Sequence, residues 1–248
     1  MCAARSVPWD SSIFGWDSPK YGRWLRWEAD HCIEALAVTY YITDRRQLPS
    51  QGSPEQLLKE KVRAAFAAGV DYVQVREKDL EGGALAALVE ELVRMPEKFG
   101  EQGVAKRNAR LLVNDRLDVA RSCGADGLHL PATSLPIAAV RKYVGKDWIV
   151  GVACHSVEEV EQAAEGGADH VLIAPVFDTA SKPGMNPMGL EKFAAICRRS
   201  SIPVFALGGV SAENARMCVD AGAKGLAGIR LFQQSPDLAS LCQRLHAL

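Results

Sequence analysis

The sequence predicts an α/β fold, a (β/α)8 TIM barrel with an N-terminal extension, and three observations lead there. Eight short apolar runs rich in β-branched residues recur from residue 37 onward. Helical patterns separate them, which argues for parallel βαβ units. Glycine-bearing elements (Ala68-Gly69-Val70, Gly166-Gly167-Ala168, Ala221-Gly222-Ala223) precede strands and provide left-handed caps that turn the chain toward them. An open doubly wound sheet is the alternative architecture.

The strands are expected at 37–43, 71–76, 110–113, 126–130, 148–153, 169–174, 203–207 and 224–229. They are nearly continuous in apolar content, as strands buried on both faces should be. Helices are expected between them, at 54–68, 83–95, 157–166, 190–199, 211–221 and 236–246. Ser53-Pro54-Glu55-Gln56 reads as an N-cap with proline at the first helical position, and Ser156-Val157-Glu158-Glu159 as a capping box. Residues 1–34 differ from the rest: they carry four of the five tryptophans and no sustained periodicity. They are read as an N-terminal extension, either an appendage on the barrel, a poorly ordered arm, or a lid or partner-binding segment. Residues 35–248 form the barrel domain.

Composition narrows the function. The formal net charge of −1 argues against a nucleic-acid-binding surface. No apolar run approaches the roughly 18 residues that span a bilayer. Seven scattered cysteines without a C-x-x-C pair read as reduced thiols in a cytoplasmic protein, with Cys154 the one beside a motif. A homo-oligomer is compatible with these data.

In such a barrel, functional groups sit at the carboxyl ends of the strands. Strand alternation puts Gln74 and Arg76 on one face. The amide of Gln74 can read a heterocycle, and Lys78 can meet a pyrophosphate as a point charge. The other reading of Arg76 is an interior ion pair, with Glu77 or another acid. Asp115 either caps a helix or holds Mg2+ through its carboxylate. His155 either exchanges protons near neutral pH or is a structural loop histidine. The long loop from Val176 to Gly189 is either a mobile lid or ordinary surface. Gly208-Gly209 leads directly into a helix, and Arg230 follows the eighth strand. Paired glycines and a helix start favour an anion there, where barrels commonly bind phosphate.

Several motifs occur here in one order: Tyr41-Ile42-Thr43-Asp44-Arg45, Gln74-x-Arg76-Glu77-Lys78, Asn114-Asp115-Arg116, Ala125 to Leu130, Gly151 to Ser156, Pro175 to Gly184 and Leu207 to Val210. Over residues 37–232 this text resembles thiamine phosphate synthase and its relative, the TenI-type thiazole tautomerase. The resemblance implies a thiamine-biosynthesis enzyme that joins an aminopyrimidine methyl pyrophosphate to a thiazole phosphate and releases pyrophosphate. It implies that Gln74, Arg76, Lys78 and Asn114 hold the pyrimidine pyrophosphate. Thr179, Ser181 and Lys182 would meet the phosphates. Gly208, Gly209, Ile229 and Arg230 would bind the thiazole phosphate, and Asp115 would bind Mg2+. Lys78 and His155 are the implied catalytic residues.

The sequence departs from the synthase pattern at three places. Ser134 stands where the pattern has a second Mg2+-binding aspartate, after Pro131-Ala132 in place of Gly-Gln. Ala153 and Arg230 each replace a serine. These departures keep a second reading, the tautomerase, which needs a proton shuttle at His155 and no Mg2+. A non-catalytic ligand-binding paralogue is the third.

Overall fold

The apolar runs become strands almost where the sequence places them: β1 (Val38–Ile42), β2 (Tyr72–Val75), β3 (Arg110–Asn114), β4 (Gly127–Leu130), β5 (Ile149–Cys154), β6 (His170–Ile173), β7 (Val204–Ala206) and β8 (Gly225–Gly228). The computed structural model describes residues 37–49, 52–95, 109–179, 184 and 186–248. The N-terminal extension 1–34 and the loop residues Ser181 and Lys182 lie outside the described residues. The eight strands are all parallel and close into a barrel in sequence order, with β1 pairing both β2 and β8. The open-sheet alternative is therefore excluded.

The helices are α1 (Pro54–Ala67), α2 (Gly82–Val93), α3 (Leu117–Ser122), α4 (Ile137–Val144), α5 (Val157–Glu165), α6 (Gly189–Arg199), α7 (Ala215–Asp220), α8 (Arg230–Gln233) and α9 (Leu238–His246). Ser53 caps α1 and Ser156 caps α5, as expected from their motifs. Sequence periodicity does not reveal α3, α4 or α8, because each spans about two turns or fewer and shows little of a 3.6-residue repeat. The helix expected to run directly from Gly-Gly begins later, at Ala215. The reason is Asn214: its Oδ1 accepts from the Ser211 amide at 2.8 Å, and its Nδ2 donates to the Gly209 carbonyl at 2.9 Å. Those bonds fold residues 209–214 into a loop of their own.

A device at the amino ends of the strands repeats. Asp71, Asp126 and Asp169 each lie just before an even-numbered strand. Each carboxylate accepts a backbone N–H of the preceding odd strand, from Thr39, Leu111 and Val150 respectively, at 2.7 to 2.9 Å. Charged acceptors make these bonds stronger than neutral ones. Asp71 also meets His246 Nε2 at 2.8 Å, which ties α9 to the barrel's amino end. This end is devoted to stability and leaves the carboxyl end for chemistry.

The barrel interior is filled from alternate strand positions. Tyr40, Tyr72, His170 and Phe205 pack together, with His170 stacked on Phe205 at 4.8 Å between ring centroids. Glycines opposite make room for these rings: a Cβ at Gly225 would lie 2.6 Å from the Phe205 ring. Each large side chain so buried contributes on the order of 1.5–3 kcal/mol. One layer higher, the same alternation brings Ile42, Gln74, Asn114, Ala153, Ala174, Leu207 and Ile229 to the carboxyl-end mouth.

Candidate active site

Two adjoining hollows open at that mouth. The central cavity, about 340 Å3, is lined by Gln74, Arg76, Lys78, Asn114, His129 and His155, among others. The second, about 580 Å3, lies over Gly208, Gly209, Ile229 and Arg230 and reaches Arg244 on α9. Thr179, Leu207, Gly208 and Ile229 line both. The cavity size suits one small heterocyclic ligand.

The central cavity is polar by construction. Gln74 is 1% exposed. Its Nε2 donates to Asn114 Oδ1 at 3.0 Å, and its Oε1 has no hydrogen-bond partner among the described residues. A buried acceptor left this way costs stability unless a ligand donates to it. The expected alternative pair of Arg76 with Glu77 is not formed. The Glu77 carboxylate is taken up by the loop after β1. It accepts from Thr43 Oγ1 at 2.6 Å and from the Arg45 amide and guanidinium, both at 3.0 Å. Arg45 then reaches Asp79 through two bonds, at 2.8 and 3.0 Å. This network braces one wall of the cavity. Burial lowers the pKa of the Arg76 guanidinium, which stays charged because arginine titrates so high.

The loop after β1 supplies cavity residues that the sequence reading did not single out: Asp44, Arg46 and Gln47. Asp44 accepts from Gln47 Nε2 at 2.8 Å and from Arg46 Nε at 3.3 Å. Its backbone is gripped by Gln233 of α8: the Asp44 amide donates to Gln233 Oε1 at 2.8 Å, and Gln233 Nε2 donates to the Asp44 carbonyl at 3.0 Å. The helix bordering the second hollow is thereby locked to the first. The available signal was Asp44 itself, two residues past the end of β1 and inside a quoted motif.

His155 lines the cavity, and its Nδ1 lies 2.7 Å from the Ala174 carbonyl. A carbonyl can only accept, so Nδ1 is the donor, and a lone pair available to a ligand can lie only on Nε2. The structural and the functional readings of His155 are thus compatible. Cys154 points away from this chemistry: it is buried, and burial pushes its thiol up to about 12.

At the second hollow, Gly208 and Gly209 have φ of 87° and 68°. Side chains there would strike the neighbouring loop: a Cβ at Gly208 would lie 2.8 Å from Pro175, and one at Gly209 2.4 Å from the Asp178 carbonyl. The short helix α8 begins at Arg230, where its first N–H groups have no partner within the helix. Bare backbone, a helix start and the Arg230 guanidinium meet at this corner.

Asp115 stands apart. It is the one described non-glycine residue with positive φ, 64°. It is exposed and borders a neighbouring cleft with Arg121 and Tyr143. Its carboxylate accepts a hydrogen bond from the Ser134 hydroxyl. It caps no helix: α3 starts at Leu117 without a side-chain cap. Among the described residues no cluster of three His, Cys, Asp or Glu side chains converges as a ready-made metal centre. The pair fits Mg2+ only in a limited sense, with one carboxylate and one hydroxyl and the rest of the shell left to water and ligand phosphates.

The family model for thiamine monophosphate synthase matches residues 39–232. The chain belongs to this family. It is 35% identical over 212 residues to thiamine-phosphate synthase of Roseiflexus sp., covering 85% of this chain and 84% of that one. It is also 35% identical to the thiamine-phosphate synthase of Coprothermobacter proteolyticus, over 84% of this chain and 93% of that one. Among solved structures, thiamine phosphate pyrophosphorylase from Pyrococcus furiosus superposes with a TM-score of 0.69 at 28% identity, covering 85% and 94% of the two chains. The matched span of the family model holds the whole barrel mouth, from Asp44 to Arg230. No described helix is long and apolar enough to cross a membrane.

Proposed function

We propose that the protein is a thiamine phosphate synthase, a transferase that joins an aminopyrimidine methyl pyrophosphate to a thiazole phosphate. The observation that carries this reading is the pair of hollows with a shared wall. A pyrimidine in the central cavity and a thiazole whose phosphate rests on Gly209 and Arg230 meet at Thr179, Leu207, Gly208 and Ile229. The C–O bond from the pyrimidine methylene to pyrophosphate breaks, and its electron pair leaves with pyrophosphate. The thiazole nitrogen gives its lone pair to that methylene and forms the new C–N bond. No proton need move.

The residues bind and polarise. The free Gln74 Oε1 accepts from the pyrimidine's amino group, and Asn114 holds the Gln74 amide in place. Arg76 and Lys78 face the departing pyrophosphate, the stabilisation that a developing anion needs most. Asp115 and the Ser134 hydroxyl are the residues that would hold Mg2+. When bound, the ion supplies neutralising charge to the leaving group. Lacking a second carboxylate, the site depends on the substrate's own phosphates. Replacing Ser134→Asp is expected to tighten binding of Mg2+ or of Mn2+ as its probe by about tenfold, since charge count sets affinity at such sites. Titration calorimetry with and without pyrophosphate checks this. Unchanged affinity in the variant would remove Asp115 and Ser134 from the metal site. The free thiols Cys123, Cys154, Cys197 and Cys218 support a cytoplasmic location.

The deciding assay supplies purified protein with both substrates, with and without Mg2+, and follows pyrophosphate and thiamine phosphate. Formation of both in equal amounts is expected; turnover of neither substrate would end this reading. One observation favours a second reading, thiazole tautomerase: His155 has Nδ1 fixed on a carbonyl and presents a base at Nε2. Under that reading, His155→Asn abolishes isomerisation of the thiazole carboxylate phosphate, by about 10²–10⁴-fold. Under the synthase reading, the same variant retains most synthase turnover.

A further inference from the structure

Beneath the cavity floor two buried histidines converge on one point. His129 of β4 lines the central cavity and is 5% exposed; His170 of β6 lies deeper at 2%. Gly151 of β5 runs between them. A Cβ built on Gly151 would lie 2.4 Å from His170 Nε2 and 3.2 Å from His129 Nδ1. Both ring nitrogens therefore crowd the same spot, and only a residue without a side chain lets them do so. Neither nitrogen has a hydrogen-bond partner among the described residues.

His170 has little freedom to seek another partner. Phe205 stacks on one side of its ring, and Tyr40 and Tyr72 pack around it at 5.6 and 5.7 Å between centroids. Burial pushes His129 down to about 3, with the charge of Arg76 adding to the effect. Burial likewise takes His170 to about 3, with His129 adding. Both rings are therefore neutral near pH 7, and each has one N–H and one lone pair. Two facing nitrogens satisfy each other only if one presents the proton and the other the lone pair. Buried polar atoms are rarely left unsatisfied, and a direct bond between the two rings satisfies both nitrogens at once.

We propose that His170 is a positioning residue whose Nε2 pairs directly with His129 Nδ1 over Gly151, and so fixes the tautomer His129 offers to the heterocycle at the cavity floor. His129 then reads one ring position of the substrate as a defined donor or acceptor. The substrate half of this inference rests on the pyrimidine occupying the central cavity; the pairing half does not.

The test uses the full chain with 15N-labelled histidine. At neutral pH, the wild-type His129 imidazole is expected to show one tautomer. In His170→Phe, which keeps the ring stack but removes both nitrogens, it is expected to become a mixture. In His170→Gln, whose side-chain amide restores a polar partner, it is expected to return to one. Kinetically, His170→Phe should raise KM for the pyrimidine substrate about five- to tenfold, the scale of one neutral hydrogen bond, with KM for the thiazole phosphate unchanged. His170→Gln should recover most of that loss. The wild-type spectrum alone can overturn the pairing, by showing two tautomers; so can an identical pattern in His170→Phe. A changed tautomer with unchanged KM overturns the role in substrate reading. If wild-type protein turns over neither substrate set, the functional reading fails while the spectra still decide the pairing.

Discussion

Replacing Gly209→Ala is expected to cut kcat/KM for thiazole phosphate by about 10²-fold, the scale of an ångström-sized misplacement at a reacting centre. Two independent effects combine. Gly209 has φ of 68°, where a Cβ costs roughly 1–2 kcal/mol. That Cβ would also lie 2.4 Å from the Asp178 carbonyl and 2.6 Å from Phe177 Cβ, so the β6 and β7 loops must part. The loop cannot absorb this quietly, because Asn214 holds the Gly209 carbonyl and the Ser211 amide. The separation of the loops moves the backbone proposed to hold the phosphate and the shared wall at Thr179. Steady-state kinetics with each substrate varied in turn checks the prediction, with the loss expected mainly on the thiazole side. An active Gly209→Ala variant with normal KM for thiazole phosphate would displace the phosphate from this corner.

Acidification is expected to destabilise the barrel well before its carboxylates titrate. His129 and His170 titrate at about 3 when folded, against about 6.5 in an unfolded chain. Above about 6.5 both states are neutral at these positions, and the contribution is fully present. As pH falls below that value the unfolded chain takes up protons that the folded barrel does not. Stability then falls by roughly 1.4 kcal/mol per pH unit for each histidine, continuing toward pH 3. Against a total stability on the order of 5–15 kcal/mol, two such units matter. Urea unfolding at intervals from pH 7.5 to 4.5 reads the slope directly. His170→Phe should roughly halve it over pH 6 to 4.5. A midpoint that stays constant between pH 7 and 5 would show that the rings are not held neutral by burial.

Much of the architecture was legible in the residues. All eight strands fall within a residue or two of their apolar runs, because a strand covered on both faces has no reason to alternate. The caps at Ser53 and Ser156 follow from local chemistry, and the glycines before strands adopt the left-handed conformation expected of them, as at Gly69 and Gly167. Gln74, Arg76, Asn114 and His155 line one cavity because strand alternation and the barrel's polarity direct them there. The short helices α3, α4 and α8 are too brief to show periodicity in the sequence. The start of α7 was misplaced because Asn214 folds the loop before it through two side-chain bonds.

Strand order, alternation and glycine placement are local properties, and they suffice to fix the barrel and the mouth at which two phosphorylated ligands are proposed to meet. Which groups engage one another depends on how the chain packs. Glu77 belongs to Thr43 and Arg45 and not to its neighbour Arg76; Gln233 holds Asp44; Ser134 closes on Asp115; nitrogens of His129 and His170 both lie close to Gly151. Most of these contacts join residues far apart in the chain. Pairing distances and burial set their energies, and neither is written in any local pattern.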